Sequence, residues 1–313
     1  MALIISTLQT KELIGMPQAL QAVEAIFHDR AQGKIRSLPR RRLKGSQKQL
    51  NIMAAWHEDW DITCLRAYGG ESNTITLYDG STGRMQAIIN MRYLSSLRTG
   101  AASGVAARYL APAATGTLGL IGPGRQARFQ LEAIIHKFPI RRILVFGRHH
   151  AKRDEFIREM SQSIPAEWQK ADSVAEVEAA ADVLVVSTNS ATPVVEGLNL
   201  KEQVLVVSIG ANGLNKHEVS ANLIRAMDLV VTDDLDTAKS GSGDLIAACE
   251  SGAIQWNDIL PLEKFVAAGA PMPRPPRILF QSNGIAAEDL AVGRYVLEKA
   301  KERRLALRDV TEI

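Results

Sequence analysis

Six consecutive residues, Gly122-Pro123-Gly124-Arg125-Gln126-Ala127, follow a short apolar run and open a stretch with helical spacing. That pattern of two glycines and a small sixth residue suits a phosphate. The first glycine permits a tight turn, and the second lets backbone approach a pyrophosphate. The small residue lets helix and strand pack closely. Unpaired N–H groups at the helix start, with their partial positive charge, attract the anion. Alone the pattern is weak, but the strand-to-helix context supports it. The reading is a dinucleotide site with Gly122, Pro123, Gly124, Arg125 and Gln126 around the phosphates.

The end of the next apolar run bears on which dinucleotide. A site for NAD usually places Asp or Glu there, to accept from the ribose hydroxyls. This chain instead reads Gly147-Arg148-His149-His150-Ala151-Lys152-Arg153, and the first carboxylate is Asp154. A 2′-phosphate would repel a carboxylate and attract Arg148, with His149 or Lys152 nearby. NADP(H) is therefore expected over NAD(H). The alternative is that these are exposed residues of a first helical turn.

Elements must position these groups. Apolar, β-rich runs cover residues 118–122, 143–147, 182–187, 204–209 and 228–232, and a sixth covers 278–281. They are continuous rather than alternating, as in parallel strands buried on both faces. Helical spacing fills 125–137, 151–163, 173–180 and 216–226. The expected fold class is α/β, a Rossmann doubly wound parallel sheet over residues 116–284. Residues 1–115 read as an α+β domain. It has a helix at 17–30, a hairpin of 74–78 and 84–89 around Asp79-Gly80, and a helix rich in small residues at 93–110. A proline-rich connector at 271–276 precedes a long final helix at 285–305. Residues 285–313 are expected to return to the first domain.

Composition is that of an ordinary globular chain. It has 313 residues, 46% hydrophobic and 23% charged, and a net charge of +3 from 37 basic and 34 acidic side chains. That balance argues against a nucleic-acid or membrane surface. The cysteines, Cys64 and Cys249, lie far apart with no metal-ligand spacing, so no metal is expected and a cytoplasmic setting is. The start lacks a basic segment followed by a long apolar one. Apolar runs such as 179–186 are far shorter than a membrane span.

Three blocks resemble the ornithine cyclodeaminase/μ-crystallin family. They are Leu97-Arg98-Thr99-Gly100-Ala101-Ala102-Ser103, the glycine turn from Ile121 to Ala127, and the run from Leu279 through Ser282, Asn283 and Gly284 to Glu288 and Asp289. Ser242-Gly243-Asp244-Leu245 adds weaker support. The resemblance implies a homodimer in which the first domain serves substrate binding and dimerisation. It implies hydride transfer at the α-carbon of an amino or imino acid. Family activities include ornithine cyclodeamination, alanine dehydrogenation and reduction of cyclic ketimine carboxylates.

Residue roles follow from the same resemblance. Arg41 and Arg98 match cationic groups for the substrate carboxylate, a natural partner for a guanidinium fork. Arg66 falls at the family's substrate-site lysine, and Asn212 falls at an acid used in cyclodeamination and alanine dehydrogenation. Arg66 and Asn212 are thus the candidate catalytic residues, with Arg66 also a carboxylate ligand. Further cofactor contacts are expected at Thr99, Ser187, Thr188, Gly210, Ser282 and Asn283. Without the resemblance, Arg41 reads as part of a surface basic run and Arg98 as one half of a structural ion pair. Glu288 and Asp289 read as acids favoured at a helix start. An arginine exchanges protons poorly near neutral pH, and an amide cannot act as a base. The expected reaction is therefore reduction of a cyclic ketimine such as Δ1-pyrroline-2-carboxylate or Δ1-piperideine-2-carboxylate. Ornithine cyclodeaminase, an alanine-type dehydrogenase and a non-catalytic NADPH-binding protein remain as alternatives.

Overall fold

The computed structural model describes residues 2–269 and 275–308. In chain order it begins with β1 (Ala2–Ile5), α1 (Thr7–Leu13), α2 (Met16–Ala31), β2 (Ile35–Lys44), β3 (Gln49–His57), β4 (Ile62–Gly69), β5 (Ser72–Asp79), β6 (Met85–Asn90) and α3 (Leu94–Leu110). Next come β7 (Thr117–Ile121), α4 (Arg125–Ile135), β8 (Arg142–Phe146), α5 (His150–Met160), β9 (Glu167–Lys170), α6 (Val174–Ala180), β10 (Val183–Val186) and β11 (Val204–Ser208). Then follow α7 (Ala221–Arg225), β12 (Leu229–Thr232), α8 (Leu235–Gly241), α9 (Gly243–Glu250), β13 (Ile259–Pro261), α10 (Glu263–Ala268), β14 (Arg277–Gln281), α11 (Ala286–Glu302) and β15 (Leu307–Arg308). Residues 271–274 of the proline-rich connector lie outside the described residues.

Two compact units result. One is Met1–Ala101 with Gly284–Ile313, and the other is Ala102–Asn283. The first holds a seven-stranded sheet in the order β15-β1-β6-β5-β4-β3-β2. Its strands alternate: Cys64 and Arg66 of β4 are buried, while Leu65 between them is exposed. Helix α2 buries Ala19, Leu20, Val23, Ile26 and Phe27, a stripe at helical spacing, and α11 lies over β2 to β5 on the same inner face. A bulge interrupts β2. Leu38 pairs with Ala54 and Arg41 with Ile52, so Pro39 and Arg40 together oppose Met53. One extra residue exchanges the faces of everything beyond it.

The second unit is α/β. Its eight strands are all parallel in the order β13-β12-β14-β11-β10-β7-β8-β9. Every residue of β10 and β11 is buried, as their unbroken apolar sequences require. From β7 the chain winds outward through β8 and β9, then returns to place β10 on the other side of β7. The order therefore reverses between β7 and β10, where doubly wound sheets bind ligands. Two strands were not foreseen. β9 (Glu-Trp-Gln-Lys) is an edge strand with one neighbour and needs no apolar run, while β13, also at an edge, is apolar but only three residues long. The helix expected at 216–226 forms only from Ala221. Val219 bridges to Val195 instead, and the Ser220 hydroxyl caps the shortened helix.

Helix α6 lies directly on β7. A methyl group at Gly119, mid-strand, would sit 2.6 Å from Val177 Cγ1 and 2.9 Å from Ala181 Cβ. Gly119→Ala is expected to cost about 1–3 kcal/mol by overpacking, read by denaturant titration. A variant as stable as the parent would show that α6 shifts freely.

Candidate active site

The turn after β7 is built for close backbone approach. Gly122 has φ +90°, and a Cβ there would lie 2.7 Å from the Ser187 carbonyl oxygen. The Ser187 hydroxyl donates to the Gly122 carbonyl at 2.9 Å, which ties this turn to the end of β10. Gly124 is the N-cap of α4 and supplies no capping side chain, so the first N–H groups of this 11-residue helix are left for a ligand.

A cleft of about 560 Å3 opens here. Eight of the residues expected at the cofactor line it: Gly122, Pro123, Gly124, Arg148, His149, Lys152, Ser187 and Thr188. Its lining holds three basic side chains and no carboxylate. Arg125 is exposed and Gln126 half-buried in the first turn of α4. Neither side chain is among those lining the cleft.

Buried acids hold the neighbouring strand ends. Glu218 is fully buried and accepts from the Thr188 N–H and from Thr188 Oγ1 at 2.9 Å. It also accepts from Ser208 Oγ at 2.8 Å, Ile209 N at 3.1 Å and Gly210 N at 2.6 Å. Gly210, expected as a cofactor contact, is where Thr188 and Glu218 come too close for any side chain. Asp233, after β12, accepts from Ser282 Oγ at 3.1 Å and Asn283 N at 2.7 Å. Thus Ser282 and Asn283 are fixed by an acid. Asn212 is half-buried in the loop after β11, where Lys216 Nζ donates to its Oδ1 at 3.4 Å.

The first unit gathers guanidinium groups. Arg98 donates from Nη1 to Glu288 at 2.8 Å and from Nε to Asp289 at 2.9 Å. Arg66 donates to Asp289 at 3.1 Å, Asn73 Oδ1 at 2.6 Å and Ser95 Oγ at 3.3 Å. Burial favours the neutral form of Arg66 and lowers its pKa despite Asp289, whereas at Arg98 burial acts the same way but Asp289 and Glu288 together outweigh it and raise the pKa. Glu288 and Asp289 thus do more than complement a helix dipole. Thr99 is buried and donates to the Ser95 carbonyl in its own helix, so it is engaged within α3.

Arg41, expected at a substrate carboxylate, is exposed on the outer face of the sheet. The bulge in β2 turns Arg40 inward in its place. Arg40 is buried, donates to the Gly284 carbonyl at 3.0 Å, and shares the Tyr68 ring with Arg66. No sequence signal announces that bulge beyond Pro39, which cannot donate to a ladder. Glu218, Asp233 and Asp244 were likewise not foreseen as site residues.

Residues 2–304 match the family described as ornithine cyclodeaminase/mu-crystallin. The chain belongs to that family. An alanine dehydrogenase from Archaeoglobus fulgidus is 31% identical over 97% of this chain and 96% of its own length. A Thermococcus litoralis Δ1-pyrroline-2-carboxylate reductase, solved with NADH and L-proline, superposes with a TM-score of 0.92 at 28% identity, covering 98% of this chain and 100% of that one. An archaeal alanine dehydrogenase dimer with bound NAD superposes at 0.91, also at 28% identity, covering 99% of each. Both structures hold a nicotinamide dinucleotide. No helix among the described residues is long and apolar enough to cross a membrane.

One buried carboxyl titrates in an accessible range. Asp244 accepts from the backbone N–H groups of Glu218 and Val219, and His217 Nδ1 lies 3.4 Å away. Burial, with the nearby Glu218 adding to it, pushes Asp244 from 3.8 up to about 7. A raised acid favours the fold in its protonated form. That stability is complete below the unfolded value and is lost as pH rises through the folded one. Between about pH 5 and 8 the melting temperature of the parent should therefore fall relative to that of Asp244→Asn. Melting curves that run parallel across that range would contradict the assignment.

Proposed function

We propose that this protein reduces a small cyclic ketimine carboxylate, of the Δ1-pyrroline-2-carboxylate or Δ1-piperideine-2-carboxylate type, to the L-amino acid, with NADPH favoured over NADH. When bound, the dinucleotide supplies a hydride to the imine carbon. The glycine turn and the N-terminus of α4 hold its pyrophosphate. Arg148, with His149 and Lys152, receives a 2′-phosphate. Thr99, Ser282 and Asn283 remain proposed cofactor contacts.

The observation that carries the choice of substrate is the amide at Asn212. Cyclodeamination needs repeated proton transfers and hence a titratable group in reach. A ketimine can bind already protonated, so its reduction asks mainly for positioning. Arg40 and Arg66 are assigned to the carboxylate, with Arg98 positioning Arg66 through their shared Asp289. Asn212 is given an orienting role. A second reading, an alanine-type dehydrogenase, is favoured by the 31% identity to the Archaeoglobus enzyme.

A panel of both cyclic imines, pyruvate with ammonia, and ornithine, each with NADPH and NADH, tests these readings. Consumption of NADPH with a cyclic imine is expected. Turnover of pyruvate with ammonia but no cyclic imine would transfer the assignment to the second reading. Arg148→Ala should weaken NADPH about 10-fold or more, the value of a hydrogen bond to a charged group, and leave NADH nearly unchanged.

We also propose a homodimer formed through the outer face of the first unit's sheet. Ile4, Ile88, Thr76, Leu65, Ala54 and Leu38 stand side by side across six strands, and Leu38 is 67% exposed. Five of these six residues are apolar, and a row of that kind on an outer face calls for a cover. Leu65→Arg should convert a dimer to a monomer in sedimentation experiments. A parent chain that is already monomeric would remove the proposal.

A further inference from the structure

Glu218 has no part in the roles assigned above, yet five hydrogen bonds converge on its side chain at the strand ends. Its five donors come from two adjacent strands. Two belong to Thr188, just after β10, and three to Ser208, Ile209 and Gly210, at the end of β11. Thr188 lines the dinucleotide cleft. Its neighbour Ser187 bonds the carbonyl of Gly122. One carboxylate therefore joins both strand ends, and through Ser187 the link reaches the glycine turn.

The carboxylate is held in turn. The Glu218 N–H donates to Asp244 at 3.0 and 3.2 Å, and the Val219 N–H donates at 3.2 Å. Gly210 leaves the volume that the carboxylate fills. All five contacts of Glu218 donate, so only a group that accepts at both oxygens satisfies them. An amide of the same shape would turn its NH2 against two or three donors.

We infer that Glu218 is a positioning residue for the dinucleotide: it fixes the Thr188 wall of the cleft, and Asp244 fixes the backbone from which it reaches. The inference rests on assigning this cleft to a nicotinamide dinucleotide, not on the identity of the imine.

A control residue exists in the same unit. Glu178 is also buried and also accepts from backbone, at Gly197 N (2.9 Å) and Asn199 N (3.2 Å), but neither partner lines the cleft. The full-length protein is titrated with NADPH and with NADH, without substrate, by calorimetry. Glu218→Gln should raise the dissociation constant about 10-fold or more, whereas Glu178→Gln should stay within about two-fold even where both lower the melting temperature. With saturating cofactor, the KM for the imine should change less under Glu218→Gln than the cofactor dissociation constant does. Glu218→Asp keeps the charge and should recover part of the affinity. It carries the test if the glutamine variant does not fold. Equal weakening by both glutamine variants, no weakening by either Glu218 variant, or a parent that binds neither dinucleotide would overturn the inference. Cofactor binding that follows this pattern with no imine turned over would leave the inference standing and remove the reductase reading.

Discussion

A carboxylate stripped of water is tolerated in a protein only when donors replace the water. The C-terminal edge of the parallel sheet depends on that constraint. Here β10, β11 and β14 run into loops where the ladder stops; the Ile209 N–H still reaches the Val186 carbonyl, and the N–H groups of Thr188, Gly210 and Asn283 turn to side-chain carboxylates. Glu218 collects those after β10 and β11, and Asp233 collects those after β14. Each acid joins segments far apart in sequence, so loops that look independent along the chain are tied to one another. The glycine turn joins this arrangement through Ser187. A rigid edge suits dinucleotide binding, because backbone groups recognise phosphate only where they are already in place.

The same constraint organises the first unit with the signs exchanged. There the guanidinium groups of Arg66 and Arg98 are buried, and Asp289 touches both. A guanidinium stays charged under all ordinary conditions, so its burial demands a fixed anion. Asp289 and Glu288 stand at the start of α11, where the helix N-terminus already favours acids. Local helix chemistry and long-range pairing thus agree on those two positions. Arg40 meets a backbone carbonyl instead.

Much of the second unit was legible in the sequence because its determinants are local. A continuous apolar run such as Val204–Ser208 must be buried on both faces, and a glycine pair after such a run must turn tightly. Edge strands were hidden for the converse reason: Glu167–Lys170 needs only one neighbour and carries no apolar signature. In the first unit a single bulge made Arg40, not Arg41, the inward arginine, and alternation read along β2 cannot reveal which residue is extra. Glu218 was hidden most deeply. Its donors lie 8 to 30 residues away, and helical spacing over 216–226 masked an extended stretch. The acids that hold the strand ends are recognised only once the strands are side by side.

The titratable groups left near these elements bear on the chemistry proposed. Arginine at position 66, where the family resemblance expects lysine, cannot exchange a proton near neutral pH. Asn212 cannot accept one as a base. Glu218 is occupied by five donors, and Asp244 spends its oxygens on two backbone N–H groups. A reaction that moves protons repeatedly between amines could not use these four groups and would turn to others nearby, such as Lys216 beside Asn212. Hydride addition to an imine that arrives protonated makes no such demand. It asks for a fixed anion site and a fixed dinucleotide, and fixing groups in place is what the buried acids do at the strand ends of the second unit.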